Sequence, residues 1–143
     1  MSPAAFALDP QLAVDTVFVG DLALSRVLLV KDANYPWILL VPRRPAVTEV
    51  IDLADHEQIQ LTGELAVASH ALRAVTGCEK LNIASLGNVV TQLHIHVIGR
   101  RSSDKAWPKA VWGAALPTAY DPDQRDELTA ALRRALKINA IAK

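Results

Sequence analysis

Two histidines and a glutamine stand at alternate positions in Gln92-Leu93-His94-Ile95-His96-Val97-Ile98. A neutral imidazole is a competent nucleophile near neutral pH, and a backbone carbonyl can steer it through its second nitrogen. On a strand, alternate side chains share a face, about 6–7 Å apart per step. Gln92, His94, His96 and Ile98 would then line one face, and Leu93, Ile95 and Val97 the other. That pitch suits a row of groups along a phosphate chain. Two further readings stay open. The pair could be half-buried histidines bonded locally, or two ligands of a zinc or iron site. A metal would need His56, His70 or a carboxylate as third or fourth ligand, and no Glu or Asp has an obvious spacing.

Elements that could position such a strand are legible on either side. Thr16–Leu22, Ser25–Lys31 and Trp37–Pro42 read as strands separated by short turns, which favours an antiparallel meander. The second and third are apolar on both faces, so cover on both sides is expected. Leu61, Leu65, Ala68, Leu72 and Val75 recur at spacings of four and three, the stripe of one helix. Asp55 and Gln58 have capping-box spacing at its start, and Gly77 is placed to end it. Lys80–Ser85 and all or part of Val89–Arg100 read as two more strands, with Leu86-Gly87-Asn88 as the turn. Asp121 and Pro122 open a last helix running to about Lys137. The order is β-β-β-α-β-β-α, an α+β arrangement with antiparallel pairing.

Composition narrows the function. The chain has 143 residues with 15 basic and 15 acidic side chains, so its formal net charge is zero. That balance argues against a nucleic-acid polymer as partner. One cysteine, Cys78, leaves no disulfide framework or cysteine-rich zinc module, and we expect it to be a small buried hydrophobe. No leader-like or membrane-spanning segment stands out, so a cytoplasmic protein with no membrane partner is expected. Arg100, Arg101, Lys105 and Lys109 form a basic cluster, read either as a solvated loop or as a phosphate contact. Trp107 and Trp112, on either side of Pro108, could stack a base or close a dimer, with core or interface packing the favoured role.

The stretch Asn82-Ile-Ala-Ser-Leu-Gly87-Asn88-Val-Val-Thr-Gln92-Leu-His94-Ile-His96-Val-Ile resembles the histidine-triad (HIT) family. The strand ending in Pro42-Arg43, the helix start Leu53-Ala-Asp-His-Glu-Gln58 and the run Cys78-Glu79-Lys80-Leu81-Asn82 follow the same layout. The resemblance covers about residues 5–113. It implies a single HIT-like domain over 1–143, with a C-terminal extension over about 114–143. It also implies a five-stranded antiparallel sheet, one long helix and a C-terminal helix.

What the resemblance implies for chemistry is a nucleotide-binding hydrolase that forms a nucleotidyl-histidine intermediate. Its substrates would be dinucleoside polyphosphates or nucleoside phosphoramidates. The alternative is a nucleotide-binding or sensing module with little turnover. By the same resemblance His94 would be the nucleophile. His96 would meet the scissile phosphate, stabilising charge as an imidazolium. Asn82, Gly87 and Asn88 would approach ribose or phosphate. A homodimer is implied, with no required cofactor beyond Mg²⁺ that a nucleotide could bring. Two positions depart from the pattern: Gln92 replaces the first histidine, and Pro36-Trp37 stands where many members carry Gly-His.

Overall fold

The computed structural model describes residues 5–143. Its elements are α1 (Pro10–Asp15), β1 (Thr16–Asp21), β2 (Ser25–Val30), β3 (Trp37–Pro42), a 3-10 turn (Val50–Asp52), α2 (Asp55–Thr76), β4 (Lys80–Ser85), β5 (Ile95–Arg100) and α3 (Pro122–Leu136). The strands form one sheet in the order β1-β2-β3-β5-β4, and every neighbouring pair is antiparallel. The meander, the long helix and the C-terminal helix therefore agree with the sequence pattern. Asp121 accepts from the Gln124 amide with Pro122 in the first turn of α3, as expected.

Alternation divides the sheet residues between two apolar layers. Val27, Leu29, Ile38, Leu40 and Val97 pack with Ala68 and Leu72 of α2 and Leu132 and Leu136 of α3. Leu28, Leu39 and Val41 face the other way and pack with Leu12 of α1 and with Phe6. Both faces of β2 and β3 are thus covered, which explains their lack of polar alternation. Glu64 of α2 is buried and accepts from the amides of Leu24 and Ser25 at 2.8 and 2.9 Å. The helix thereby ties down the β1–β2 turn with a carboxylate that burial leaves no other use for.

Two local expectations need correction, and one short helix adds to them. The first turn of α2 is closed by Glu57, whose Oε1 accepts from the Ala54 amide at 3.1 Å, and not by an Asp55–Gln58 box. Gln58 instead donates to the Leu53 carbonyl. The last strand is only Ile95–Arg100, so Gln92 and His94 belong to the loop before it. Helix α1 was not anticipated, although Asp9-Pro10 carries its cap: the Asp9 carboxylate accepts from the Gln11 amide at 2.8 Å. Gly77, with φ of 65°, ends α2 in the left-handed region where a glycine costs least. No helix among the described residues is long and apolar enough to cross a membrane.

Candidate active site

A cleft of about 790 Å³ opens beside β3 and β5 on the α1 side of the sheet. His94, His96, Trp37, Asn88, Lys31 and Trp112 are among its lining. His96 is carried by β5 opposite Leu39 of β3, and it faces away from the helices α2 and α3. His94 precedes β5, and the two rings meet at 5.0 Å between centroids. Leu93 and Ile95 pack under them against Leu61 and Leu65 of α2. Helix–sheet packing on one face therefore fixes the imidazoles on the other.

The protonation of both rings follows from their partners. His94 Nδ1 is 2.7 Å from the carbonyl oxygen of Gln92. A carbonyl only accepts, so Nδ1 carries the proton and Nε2 keeps its lone pair. For His96 the arrangement is reversed. The Trp37 indole donates to its Nδ1 at 3.0 Å, and an indole N–H cannot accept. The proton of His96 is then on Nε2, which donates to the Leu86 carbonyl at 3.1 Å. Burial pushes this imidazole down to about 4, the Leu86 carbonyl opposing and the neighbouring His94 assisting. His96 is therefore neutral at physiological pH. The expectation that it serves as an imidazolium is corrected, and the cause is burial of the ring, with the Trp37 indole already donating to the nitrogen that would take the proton.

The other anticipated residues are distributed unevenly. Asn88 is exposed at the cleft and Gly87 lies beside it. A Cβ on Gly87 would lie 2.7 Å from the Val90 carbonyl oxygen and 3.3 Å from His94 Cε1. The missing side chain thus lets the loop close onto the His94 ring. Asn82 is not part of the cleft lining: its Oδ1 accepts from Arg100 at 2.7 Å. The Gln92 side chain points to the N-terminal segment, accepting from the Asp9 amide at 2.9 Å and donating to the Ala7 carbonyl at 2.8 Å. A row of Gln92, His94 and His96 on one face is thus replaced by two imidazoles in the cleft and an amide outside its lining. Strand alternation would place all three on one face only if the strand ran through residue 92, and the loop before Ile95 ends that alternation.

The basic cluster is not a phosphate cradle at this cleft. Arg100 is almost wholly buried and grips Asp104 with two nitrogens, at 2.8 and 3.0 Å. That pairing holds the Asp104 carboxyl down at about 2. Arg101 donates to the carbonyls of Thr76 and Gly77. Lys105 and Lys109 border a separate shallow dish with Trp107 and Trp112. Within the cleft the formal charges are Lys31 against Asp15 and Asp32. His56 and His70 are exposed on α2, and Cys78 is buried as a small apolar group. Among the described residues no group of three or more His, Cys, Asp or Glu could hold a metal ion.

Trp37 and Trp112 carry a role at His96 that the sequence does not reveal. Trp112 lies edge-on to both His96 and Trp37, with centroids at 5.0 and 5.8 Å. Trp37 could be noticed only as a departure from the family pattern.

A family model for the HIT domain matches residues 11–103. The chain is 52% identical to a histidine triad protein from Bradyrhizobium japonicum, with a TM-score of 0.91, covering 93% of this chain and 99% of that one. It is 38% identical to a histidine triad protein from Sinorhizobium meliloti 1021, with a TM-score of 0.88 over 91% and 96% of the two chains. A histidine triad protein from Marinobacter aquaeolei VT8 is also 38% identical, with a TM-score of 0.90 over 94% and 98%. No curated protein matches the chain.

Proposed function

The chain belongs to the HIT domain family, and from that premise we propose that it is a nucleotide-binding hydrolase whose nucleophile is His94. The observation that carries this reading is the bond from His94 Nδ1–H to the Gln92 carbonyl, which leaves Nε2 basic on a residue lining the cleft. Nε2 attacks the phosphorus of a nucleoside phosphate as the bond to the leaving group breaks. Water then attacks phosphorus, the N–P bond breaks with its electron pair returning to Nε2, and a nucleoside monophosphate is released. Asn88 and the backbone beside Gly87, at the cleft, would meet the phosphate. Substrates are dinucleoside polyphosphates or nucleoside phosphoramidates, with Mg²⁺ an optional companion of the nucleotide.

The protein is further proposed to act as a homodimer. Strand β4 closes the sheet with an unpaired edge, and Ile83 on it is half exposed. The second reading, a binding or sensing module with little turnover, is favoured by the neutral, doubly bonded His96.

Incubation with diadenosine tetraphosphate, or with adenosine phosphoramidate, should release AMP. Brief quench in alkaline denaturant, which preserves a P–N bond, should leave an adenylated peptide containing His94. Tight AMP binding with neither product nor adduct would replace the hydrolase by the sensing module.

A further inference from the structure

We propose that Trp37 is a specificity-determining positioning residue, holding His96 as a neutral non-donor to substrate so that the site expels leaving groups that depart without a proton much faster than amines, which need one. The proposal rests on the hydrolase reading above and refines its substrate class.

Both nitrogens of His96 are committed. The Trp37 indole occupies Nδ1 at 3.0 Å, and the Nε2 proton goes to the Leu86 carbonyl at 3.1 Å. The ring is enclosed by Trp37, Trp112 and His94, at centroid distances of 5.7, 5.0 and 5.0 Å. Taking up a proton on Nδ1 would set N–H against N–H at the indole and leave that donor unsatisfied, a costly change in a buried place. His96 is thus a poor general acid, and a positioned acid is worth about 10²- to 10⁴-fold when an amine must leave.

The remaining ionisable groups of the cleft have other partners. Lys31 Nζ donates to the Val14 carbonyl at 2.9 Å. Asp15 accepts from the Gln11 side chain at 3.0 Å. Asp32 accepts from the amides of Asn34 and Thr118, at 3.0 and 3.2 Å. His94, the remaining titratable neighbour of His96, supplies the nucleophile itself.

The substrate class that needs no acid is a nucleoside monophosphate joined to a strong acid: a mixed anhydride with a carboxylate, or an ester of an acidic hydroxyl. In the first step the Nε2–P bond forms, the P–O bond breaks, and the electron pair leaves on a stable oxyanion. No proton moves. A phosphoramidate cannot follow this course, because its amine must be protonated before the P–N bond breaks. Among the cleft's formal charges, one lysine faces two aspartates, which also favours a single phosphate over a long polyphosphate.

Two measurements test the proposal. The first is kcat/KM on AMP esters from 4-nitrophenol to phenol, and on adenosine phosphoramidate. The expected result is a fall of about 10³-fold along the ester series, with phosphoramidate at least about 100-fold slower than the nitrophenyl ester. The second is the ¹⁵N spectrum of His96 against pH. The wild-type ring should keep Nε2–H and a bare Nδ1 down to about pH 5, and in Trp37→Phe, where burial persists but the indole donor is gone, it should take up a proton at a higher pH than in the wild type. In Trp37→His the gap between phosphoramidate and ester should narrow. Equal rates on phosphoramidate and nitrophenyl ester overturn the proposal while the hydrolase reading stands. So does a wild-type His96 that titrates as a free imidazole. Absence of turnover on every ester removes the specificity claim together with the hydrolase.

Discussion

His94 donates its Nδ1–H to the carbonyl of Gln92 across 2.7 Å, so the residue that departs from the family pattern orients the nucleophile through its main chain. His94→Ala removes the nucleophile and leaves that carbonyl in place. We predict a drop in kcat of at least about 10³-fold, or about 4 kcal/mol of barrier, with AMP affinity changed far less. Single-turnover kinetics on the nitrophenyl ester would check it. An undiminished rate would sink the assignment.

Burial of neutral His96 makes stability depend on pH. Its folded value of about 4 lies below the ordinary 6.5. The unfolded chain therefore takes up a proton that the folded one refuses, and stability falls as pH drops through this window. The expected loss from this group is about 2 kcal/mol at about pH 5 relative to neutral pH. Urea unfolding of the wild type and of His96→Phe at the two pH values reads it. Equal pH dependence in both would show that His96 is not held neutral.

Gln92→Ala should loosen the N-terminal segment without disturbing the tautomer of His94. Two hydrogen bonds are lost, one part-buried and one exposed, worth about 1–2 kcal/mol together. Hydrogen exchange at the Asp9 amide should accelerate. Helix α1 forms one wall of the cleft through Gln11, Leu12 and Val14, so KM should rise more than kcat falls. A pure kcat effect would place the amide in the chemistry instead.

Gly87→Ala puts a methyl group 2.7 Å from the Val90 carbonyl oxygen and close to the His94 ring. The loop must shift, and we predict a fall in kcat/KM of at least about 10-fold, since small misplacements at a reacting centre cost that much or more. The melting temperature should move little in comparison. Wild-type activity would mean that the loop relaxes without moving His94.

Arg100→Met strands Asp104 in a place where both side chains are nearly inaccessible. The expected destabilisation is about 3–5 kcal/mol at neutral pH. In the wild type this pair contributes above about 3.8 and its contribution disappears as pH falls toward about 2. The variant should lack that part of the acid transition in a urea or thermal series. Arg100→Met as stable as the wild type would show that the pair does not hold this loop.

The parts of the fold that were legible are those governed by period and by local chemistry. Val27, Leu29, Ile38 and Leu40 face α2 because alternation leaves them no other face, and Asp121 with Pro122 starts α3 wherever the chain goes next. The pair His94 and His96 was recognisable by type and spacing. Its chemical state was not, because the indole that sets it lies 59 residues away. Gln92 misled for a related reason: alternation holds only while the backbone stays extended, and here the strand begins at Ile95. Helix α1 carried a cap signal but has six residues, too few for a periodic pattern.

The sheet order also fixes when during folding the cleft can exist. Strands β1, β2 and β3 join through short turns, whereas β3 meets β5 only after the whole of α2 and β4 has been threaded between them. Loop closure over such a distance is slow compared with hairpin formation. We therefore predict that the β2–β3 amides gain protection before those linking β3 to β5, as pulse-labelled hydrogen exchange during refolding would show. The nucleophile would then be oriented late, when the meander is already formed, and an early intermediate would be folded yet chemically silent. Simultaneous protection of both strand pairs would count against this order of events.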